Sequence, residues 1–340
     1  MTRSRPTDNR QILLAHRPKG VPKPEHFTLA ETPLPIPRDG EILVRNHHLS
    51  VDPAQRGWAN DEGNYSDPVP LGTPMRALAV GEVVESRAAD FAPGDFVYGW
   101  FGWQDYCAAT PAAVLRRVVE THLPLTASLG VLGINGLTAH LALHTLGRPR
   151  PGDTVLVSTA AGAVGSLVGQ LANIAGCRAV GVTGSAAKVE TAKARYGYAT
   201  AIDYRTSTDI GADLAAACPD GIDVFFDNTG GTIGDAARAL MNVGGRIVQC
   251  GTASIATWEP PPSGPRAERH VLTKRLSWSG FVIFDHRAEF AATAEKLAAL
   301  LDSGHIVFDE DITHGLERAP EVLEGLYRGD NHGKAIVSLV

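Results

Sequence analysis

The distribution of apolar and polar residues divides the chain into two parts. Up to about residue 119 the apolar residues occur in short runs separated by turn signals such as Asp39-Gly40 and Pro93-Gly94-Asp95, which is typical of β-strands joined by tight turns. The predicted strands are residues 12–14, 27–31, 41–51, 78–86, 96–99 and 106–109. This part of the chain therefore predicts a β-rich barrel.

The second part alternates between strands and helices, after a helical run predicted over residues 127–146. The predicted strands are residues 154–157, 179–183, 201–203, 224–228 and 246–250, and the helices between them are 164–175, 186–196, 210–217 and 233–241. Strands separated by helices of this length pair in parallel, so the pattern predicts a doubly wound parallel sheet. Further along we expect a strand at 279–284, a helix at 287–301, a strand at 306–308, a helix after Pro320 and a final strand at 334–339.

The turn after the first strand of this sheet has the character of a dinucleotide site. Its sequence, Ala160-Ala161-Gly162-Ala163-Val164-Gly165, departs from G-x-G-x-x-G only at the first position, where Ala160 replaces glycine. In such a turn the small residues let the backbone approach a pyrophosphate, and the helix that follows directs its free N–H groups at the phosphates. The turn, with its flanking strand and helix, predicts a bound dinucleotide.

The end of the second strand indicates which dinucleotide is bound. It runs into Gly184-Ser185 with Lys188 just beyond, where an NAD-specific site usually carries an acidic residue for the ribose 2'-hydroxyl. A carboxylate would repel a 2'-phosphate, whereas an ammonium would attract it. The sequence therefore favours NADP(H). Two further loops, Asp227 to Gly231 and Cys250-Gly251-Thr252, also follow strands, so we expect them at the same sheet edge.

Composition excludes several classes of function. A chain of 340 residues with 44% hydrophobic residues can fill two domain cores. The formal net charge of -6 offers no basic surplus for nucleic acid or an anionic membrane. The polar start of the chain lacks an apolar segment typical of a signal peptide, and the longest apolar run is interrupted by polar residues, so we expect a soluble cytoplasmic protein.

The cysteines and histidines do not indicate a metal site. The four cysteines, Cys107, Cys177, Cys218 and Cys250, form no C-x-x-C pair. Two histidine arrangements resemble parts of a metal site, His47-His48 and His140 with His144. Neighbours in a strand point to opposite faces, and the helical pair lacks the glutamate and third ligand of a catalytic zinc site. We therefore expect no bound metal.

Several ordered motifs have counterparts in a known family. They are Leu49-Ser50-Val51-Asp52-Pro53 with Arg56-Gly57, Gly102-Trp103-Gln104, residues 160–169, Gly184-Ser185 with Lys188, Phe226-Asp227-Asn228, Cys250-Gly251, Gly280-Phe281 and Gly329-Asp330-Asn331-His332-Gly333-Lys334. In these the chain resembles the zinc-free medium-chain dehydrogenase/reductase superfamily, and within it the prostaglandin reductase and alkenal double-bond reductase group. The resemblance spans nearly the whole chain.

The resemblance implies a fold, an activity and an assembly. The fold is a GroES-like β-barrel domain at residues 1–127, completed by 304–340, and an NADP-binding Rossmann domain at 128–303. The activity is NADPH-dependent reduction, without metal, of a C=C bond conjugated to a carbonyl: hydride goes to the β-carbon and a proton to the α-carbon. The assembly is a homodimer joined through the cofactor domains.

The resemblance also assigns cofactor contacts by position. The pyrophosphate turn falls on Ala163, Val164, Gly165 and Ser166. The second-strand end and 2'-phosphate partners fall on Gly184, Lys188 and Tyr204. The nicotinamide-side contacts fall on Asn228, Cys250, Gly251, Thr252, Ser254, Ala256, Phe281, Val282, Ile283 and Asn331.

The chain departs from the family at the substrate positions. Three places that usually hold tyrosine carry Ala54, Ala256 and Thr273. The proton would then come from another group, for which Tyr65, Thr273 and water are the candidates. Trp58, Trp100, Phe101 and Trp103 could line an apolar pocket, or could be core residues. Quinone reduction, or a non-catalytic nucleotide-binding protein, are the alternative functions.

Overall fold

The computed structural model describes residues 7–61, 64–255, 258 and 260–340. Within these residues the strands are β1 (Asp8–Leu14), β2 (Phe27–Pro33), β3 (Ile42–Ser50), β4 (Leu78–Ser86), β5 (Phe96–Trp100), β6 (Tyr106–Ala109), β7 (Val114–Arg117), β8 (Thr154–Ser158), β9 (Arg178–Thr183), β10 (Thr200–Asp203), β11 (Ile222–Asp227), β12 (Met241–Gln249), β13 (Ser277–Gly280), β14 (Glu310–His314) and β15 (Lys334–Ser338). The α-helices are α1 (Ala54–Ala59), α2 (Ile134–Ala142), α3 (Gly165–Ile174), α4 (Ala186–Tyr196), α5 (Ile210–Ala217), α6 (Gly231–Leu240), α7 (Glu268–Lys274), α8 (Phe290–Asp302) and α9 (Ala319–Arg328).

The chain forms two compact units, one of Met1–Leu129 with Glu310–Val340 and the other of Gly130–Asp309. In the first unit β1 and β2 form a hairpin-like pair, and a larger sheet has the order β14-β15-β3-β4-β5-β7, with β6 also paired to β3. Its pairs are antiparallel except for β14 with β15. The C-terminal strands are therefore part of the same sheet as the N-terminal ones.

The core of the first unit contains most of the aromatic residues singled out in the sequence. Trp58, Phe101 and Trp103 are 2%, 1% and 0% exposed and lie in one apolar cluster, against which Trp100 packs. Burial of such large side chains supplies much of the stability of a sheet-rich unit. They act as core residues, and the first unit does not use them as an open apolar lining.

The second unit is a parallel sheet with the strand order β10-β9-β8-β11-β12-β13. Each pair in it is parallel, and helices connect its strands. Its core is formed by apolar side chains of the central strands, such as Leu156, Val180 and Phe225. The predicted fold class, a β-rich domain joined to a doubly wound parallel-sheet domain, is confirmed.

Three predicted elements differ from the structure, and other elements were not predicted. The helix predicted at 127–146 begins at Ile134, because a turn of 3-10 helix (Leu125–Ser128) precedes it and the Val131 carbonyl folds back against Gly136. The strand predicted at 306–308 is not formed, since Val307 bonds to the side chain of Gln170 instead. The strand predicted at 279–284 corresponds to β13, which ends at Gly280 before a 3-10 helix over Ile283–Glu289. Helices α1 and α7 and strands β7 and β14 were not predicted.

In the part of the chain that the structure describes, no helix combines the length and apolar character needed to cross a membrane.

Candidate functional site

The turn between β8 and α3 leaves backbone donors without acceptors. Ala160 donates to the Val182 carbonyl at 3.0 Å and Gly162 to the Thr159 carbonyl at 2.9 Å. The N–H groups of Ala163, Val164 and Gly165 have no acceptor within the described residues. Unpaired donors at the start of a helix form a binding site for an anionic phosphate. The turn therefore fits the pyrophosphate of a dinucleotide.

Close packing explains the small residues around this turn. A Cβ on Gly165 would lie 2.2 Å from the Thr159 carbonyl oxygen, so a larger residue would push α3 away from β8. The buried Tyr198 hydroxyl donates to the Gly165 carbonyl at 2.6 Å and holds the first turn of α3 in place. Glycine at position 181 leaves room for the methyl group of Ala160. That space in β9 explains why alanine can replace the first glycine of the motif.

The residues that follow β9 and β10 include two cations, Lys188 and Arg205, and Arg205 lies beside an aromatic ring. Ser185 caps α4 by accepting a hydrogen bond from the Lys188 N–H at 3.3 Å. The Arg205 guanidinium lies 5.9 Å from the centre of the Tyr204 ring, and Tyr204 is 43% exposed. A Cβ on Gly184 would be 3.2 Å from Tyr204 Cε1 and 3.3 Å from Arg205 Nε.

These contacts bring the predicted 2'-phosphate residues Gly184 and Tyr204 together, with Lys188 in the first turn of α4. They also add Arg205, which the sequence analysis missed. The feature of the sequence that could have identified it is a second cation directly after Tyr204, at the end of β10. Positive charge beside a small residue is what a phosphate monoester requires.

The loops after β11 and β12 meet at the same sheet edge. The N–H groups of Cys250 and Gly251 donate to the Asp227 carbonyl at 2.8 and 3.1 Å. Ser254 donates twice to the Thr229 carbonyl, from its N–H at 3.1 Å and from its hydroxyl at 2.7 Å. Burial raises the pKa of the Cys250 thiol to about 12, so it stays a neutral thiol at physiological pH. The predicted nicotinamide-side residues of the two loops are thus adjacent, with Thr252 between them.

The segment after β13 joins this edge through one backbone contact. Phe281 donates to the Gln249 carbonyl at 3.0 Å, and its ring stacks on His286 with 4.8 Å between ring centres. Phe281 and Ile283 are 7% and 8% exposed, with Val282 between them. Ala256, also predicted to face the nicotinamide, lies outside the described residues.

The predicted catalytic residues have different surroundings. Tyr65 belongs to the first unit and is 54% exposed, and its N–H donates to Asn64 Oδ1 at 2.7 Å. Asn331, a predicted coenzyme contact, is in the same unit and donates from Nδ2 to the Gly333 carbonyl at 2.8 Å.

Thr273 lies on the exposed face of α7, where its hydroxyl donates to the Arg269 carbonyl at 2.7 Å. The next residue, Lys274, donates from Nζ to the carbonyl of Met241, where β12 begins. Thr273 is therefore near the amino-terminal edge of the sheet, opposite the edge that carries the dinucleotide turn. This position disfavours the predicted catalytic role of Thr273.

One of the two histidine pairs, His47-His48, is arranged differently from expectation. A bulge in β3 between Asn46 and His48 brings the rings of His47 and His48 to 6.4 Å, edge to face. His140 and His144 stack at 4.5 Å. Burial lowers the pKa of His48 and His140 to about 4, so both are neutral at physiological pH. Within the described residues no three His, Cys, Asp or Glu side chains form a group that could hold a metal ion.

Comparison with known proteins places this geometry in a family. The sequence model described as "N-terminal domain of oxidoreductase" matches residues 10–117, and that described as "Zinc-binding dehydrogenase" matches residues 163–299. The chain is 39% identical to the NADPH-dependent curcumin reductase of Escherichia coli, over 97% of this chain and 96% of the relative. The chain belongs to the medium-chain dehydrogenase/reductase superfamily.

Within this superfamily the chain is a member of the prostaglandin reductase and alkenal reductase group. It is 36% identical to the NADP(+)-dependent 2-alkenal reductase of Nicotiana tabacum, over 97% of both chains. The crystal structure of CurA from Vibrio vulnificus in complex with NADPH superimposes with a TM-score of 0.92 at 37% identity, covering 97% of this chain and 99% of CurA. The predicted family is confirmed.

Proposed function

We propose that this member of the medium-chain dehydrogenase/reductase superfamily reduces the C=C bond of α,β-unsaturated aldehydes and ketones with NADPH. The protein is an NADP-dependent oxidoreductase of the alkenal, curcumin and prostaglandin reductase group, and NADP(H) is its coenzyme. The choice of a conjugated C=C bond as the reacting group rests on the substrates named for those relatives. The dinucleotide turn with its unpaired N–H groups is the observation that carries the coenzyme assignment.

The residues of the second unit would hold the coenzyme in three places. The N–H groups of Ala163 to Gly165 and the α3 dipole would bind the pyrophosphate, with Ser166 in the first turn. Lys188 with Tyr204 would bind the 2'-phosphate, and Arg205 would add a second cation. The loops that carry Asn228 and Cys250 would fix the nicotinamide end.

The chemistry divides between the coenzyme and the protein. When bound, the dihydronicotinamide supplies the hydride for the electrophilic β-carbon of the substrate. Negative charge then develops on the substrate carbonyl oxygen, and a protein hydrogen-bond donor stabilises it. A proton reaches the α-carbon from a side chain or from water.

Tyr65 is the side chain we propose as the proton donor. Its phenol is exposed in a unit where Ala54 takes the place of a family tyrosine. Tyr65→Phe removes the acidic proton and keeps the ring, so kcat should fall about 100-fold, within the usual range for a lost general acid, while the affinity for NADPH stays unchanged. Tyr106→Phe, a phenol removed from β6 of the same unit, serves as the matched control. An unchanged kcat in Tyr65→Phe would assign the proton to water.

The decisive experiment is a steady-state comparison of acceptors. Oxidation of NADPH is followed by the loss of the absorbance of the reduced nicotinamide, with alkenals, cyclic enones and quinones as acceptors. The products are then analysed for a saturated carbonyl. Saturated aldehydes or ketones support the proposal. Turnover of quinones alone would assign quinone reduction, and NADPH binding without any turnover would assign a non-catalytic role.

The resemblance to the family also leads us to propose a homodimer joined through the second units. β13 is the last strand of its sheet in the part of the chain described, so one of its edges is unpaired. Trp278 of β13 is 42% exposed, and Leu272 of the preceding helix α7 is 76% exposed. An unpaired edge with apolar flanks favours pairing with a second copy. Sedimentation at micromolar concentration should give twice the mass of one chain, and Leu272→Glu should shift the protein toward monomer.

A further inference from the structure

Asp227, at the end of β11, carries a buried carboxylate that is neither one of the coenzyme contacts nor the proton donor. Its side chain is 1% exposed and forms no ion pair among the described residues. Oδ1 instead accepts hydrogen bonds from the Ser158 hydroxyl at 3.0 Å and from the N–H groups of Thr229 and Gly230, both at 2.9 Å. Oδ2 accepts from Gln249 Nε2 at 3.1 Å. A buried charge kept without a counter-ion requires such a set of donors.

The donors to this carboxylate belong to both nicotinamide-side loops. Thr229 and Gly230 are in the loop after β11, and Gln249 ends β12 and also donates to the Gly251 carbonyl at 2.7 Å. The Asp227 backbone carbonyl accepts from Cys250 and Gly251. Asp227 therefore fixes the start of both loops: its side chain accepts hydrogen bonds from each of them, and its main-chain carbonyl also accepts from the loop after β12.

Ser158 connects the same residue to the neighbouring strand. Its hydroxyl donates to Asp227 and accepts from the Asn228 N–H at 2.7 Å, while its carbonyl accepts from Asn228 Nδ2 at 2.7 Å. Ser158 therefore holds both the N–H and the side chain of Asn228, and its hydroxyl is itself held by Asp227. At the other end, Gln249 Oε1 accepts from Trp278 Nε1 at 3.0 Å, which ties β13 into the network.

We propose that Asp227 is a positioning residue for the nicotinamide half of the coenzyme, acting through Ser158 and Gln249. The inference rests on the proposed function, because it takes NADPH to bind at this sheet edge. Asp227 is 1% exposed, so its role is exerted through its neighbours: it holds the loops of Asn228 and Gly251 in one arrangement, so that the reduced ring is bound in a single orientation. The adenosine half, held at β9 and β10, does not depend on it.

The test uses two probes that differ in which half of the site they fill. Adenosine 2',5'-bisphosphate carries the 2'-phosphate end alone, whereas NADPH fills both ends. In Asp227→Asn the new side-chain N–H₂ group faces either the Gln249 amide or the N–H groups of Thr229 and Gly230. Two hydrogen-bond donors then face each other, so the hydrogen bond from at least one of the two loops is lost. We expect NADPH to bind about tenfold more weakly and kcat to fall about tenfold, the loss of one charge-assisted hydrogen bond, while the bisphosphate binds within about twofold of the unaltered protein.

Asp223→Asn is the matched control. Asp223 lies on the same strand at its opposite end, where its carboxylate accepts from the Thr154 N–H at 2.8 Å and from Asn242 Nδ2 at 2.9 Å. It should lower thermal stability to a similar extent without separating the two probes. If Asp227→Asn does not fold, Ser158→Ala removes one donor to the carboxylate and one acceptor of Asn228, and the same separation of probes is expected with a smaller loss.

Two results would overturn the inference: equal weakening of both probes, or an unchanged affinity for NADPH with an unchanged kcat. Failure of the proposed function gives a different result. If the unaltered protein binds NADPH but reduces no enone, the acceptor is wrong, and the separation of the two probes by Asp227→Asn still decides the positioning role. If it binds neither probe, the coenzyme assignment and the positioning role fall together.

Discussion

The buried ion pair between Lys334 and Asp52 yields a quantitative prediction. Lys334 Nζ lies 2.9 Å from Asp52 Oδ1 and donates to the Val51 carbonyl at 2.7 Å. The two side chains are 3% and 7% exposed, and the Ser50 hydroxyl donates to the second carboxylate oxygen. Burial lowers the pKa of the Lys334 ammonium, and the Asp52 carboxylate opposes that shift. The pair fastens the segment before α1 to β15, directly after the loop that carries Asn331.

The magnitude follows from the separation and the burial. Two unit charges 2.9 Å apart attract by about 6 kcal/mol at an effective dielectric constant of about 20. Removing one partner of a buried pair typically costs about 3 to 5 kcal/mol, because the other charge remains buried and unpaired. We therefore expect Lys334→Met and Asp52→Asn each to lower the free energy of unfolding by about 3 to 5 kcal/mol. The double variant should lose at least about 2 kcal/mol less than the sum of the two.

Urea unfolding followed by tryptophan fluorescence measures these costs. Trp58 and Trp103 are buried in the same unit, so their emission reports the unfolding of that unit. Arg318→Met serves as the control, since Arg318 pairs with Glu321 at 2.6 Å while both side chains are about half exposed, and exposed pairs contribute less than about 1 kcal/mol. If the costs of the two single changes add in the double variant to within about 0.5 kcal/mol, the reasoning is refuted.

Three further outcomes are expected. Lys188→Ala should weaken NADPH about 10- to 100-fold in calorimetry and leave NADH nearly unchanged, whereas equal losses would contradict the 2'-phosphate assignment. Gly169→Ala would place a Cβ 2.4 Å from the Tyr198 ring and should lower the free energy of unfolding by about 1 to 3 kcal/mol in urea titrations. Adding Tyr198→Leu to this variant should recover part of the loss; no recovery would show that the clash is not the cause. Burial lowers the pKa of His48 and His140 from 6.5 to about 4, so between these values the unfolded chain binds protons that the folded chain does not. The urea midpoint should therefore fall as the pH is lowered from about 6.5 to about 4. If the dependence of the midpoint on pH is unchanged after His48→Gln and His140→Gln, this cause is refuted.

Much of the second unit could be predicted from the sequence because its signals are local. Helices α4 and α5 have the predicted bounds, since each starts at a capping residue, Ser185 or Asp209, whose side chain accepts a hydrogen bond from the first turn. The turn that begins with Ala160 is recognisable because a strand, small residues and a helix follow one another within a few residues. In such segments the periodicity and the structure that forms depend on the same few neighbours.

The sequence does not show structure that depends on distant residues. The residues 306–308 have the composition of a strand, but Val307 bonds to the side chain of Gln170, 137 positions away. Thr273 corresponds to a family tyrosine position in the sequence, yet α7 places it on an exposed face near the amino-terminal edge of the sheet. Strand propensity and motif position cannot show such contacts.

The sequence by itself determined the two-part organisation, the parallel order of strands and helices, the dinucleotide turn and the cation at Lys188, because periodicity, small residues and charge at a fixed spacing each act over short distances. Only the tertiary structure decided which side chains meet: Asp227 with Ser158, 69 positions apart, and Lys334 with Asp52, 282 positions apart. The physical reason is that sheet order and register select the partners of a buried polar group, and no repeat along the chain encodes them.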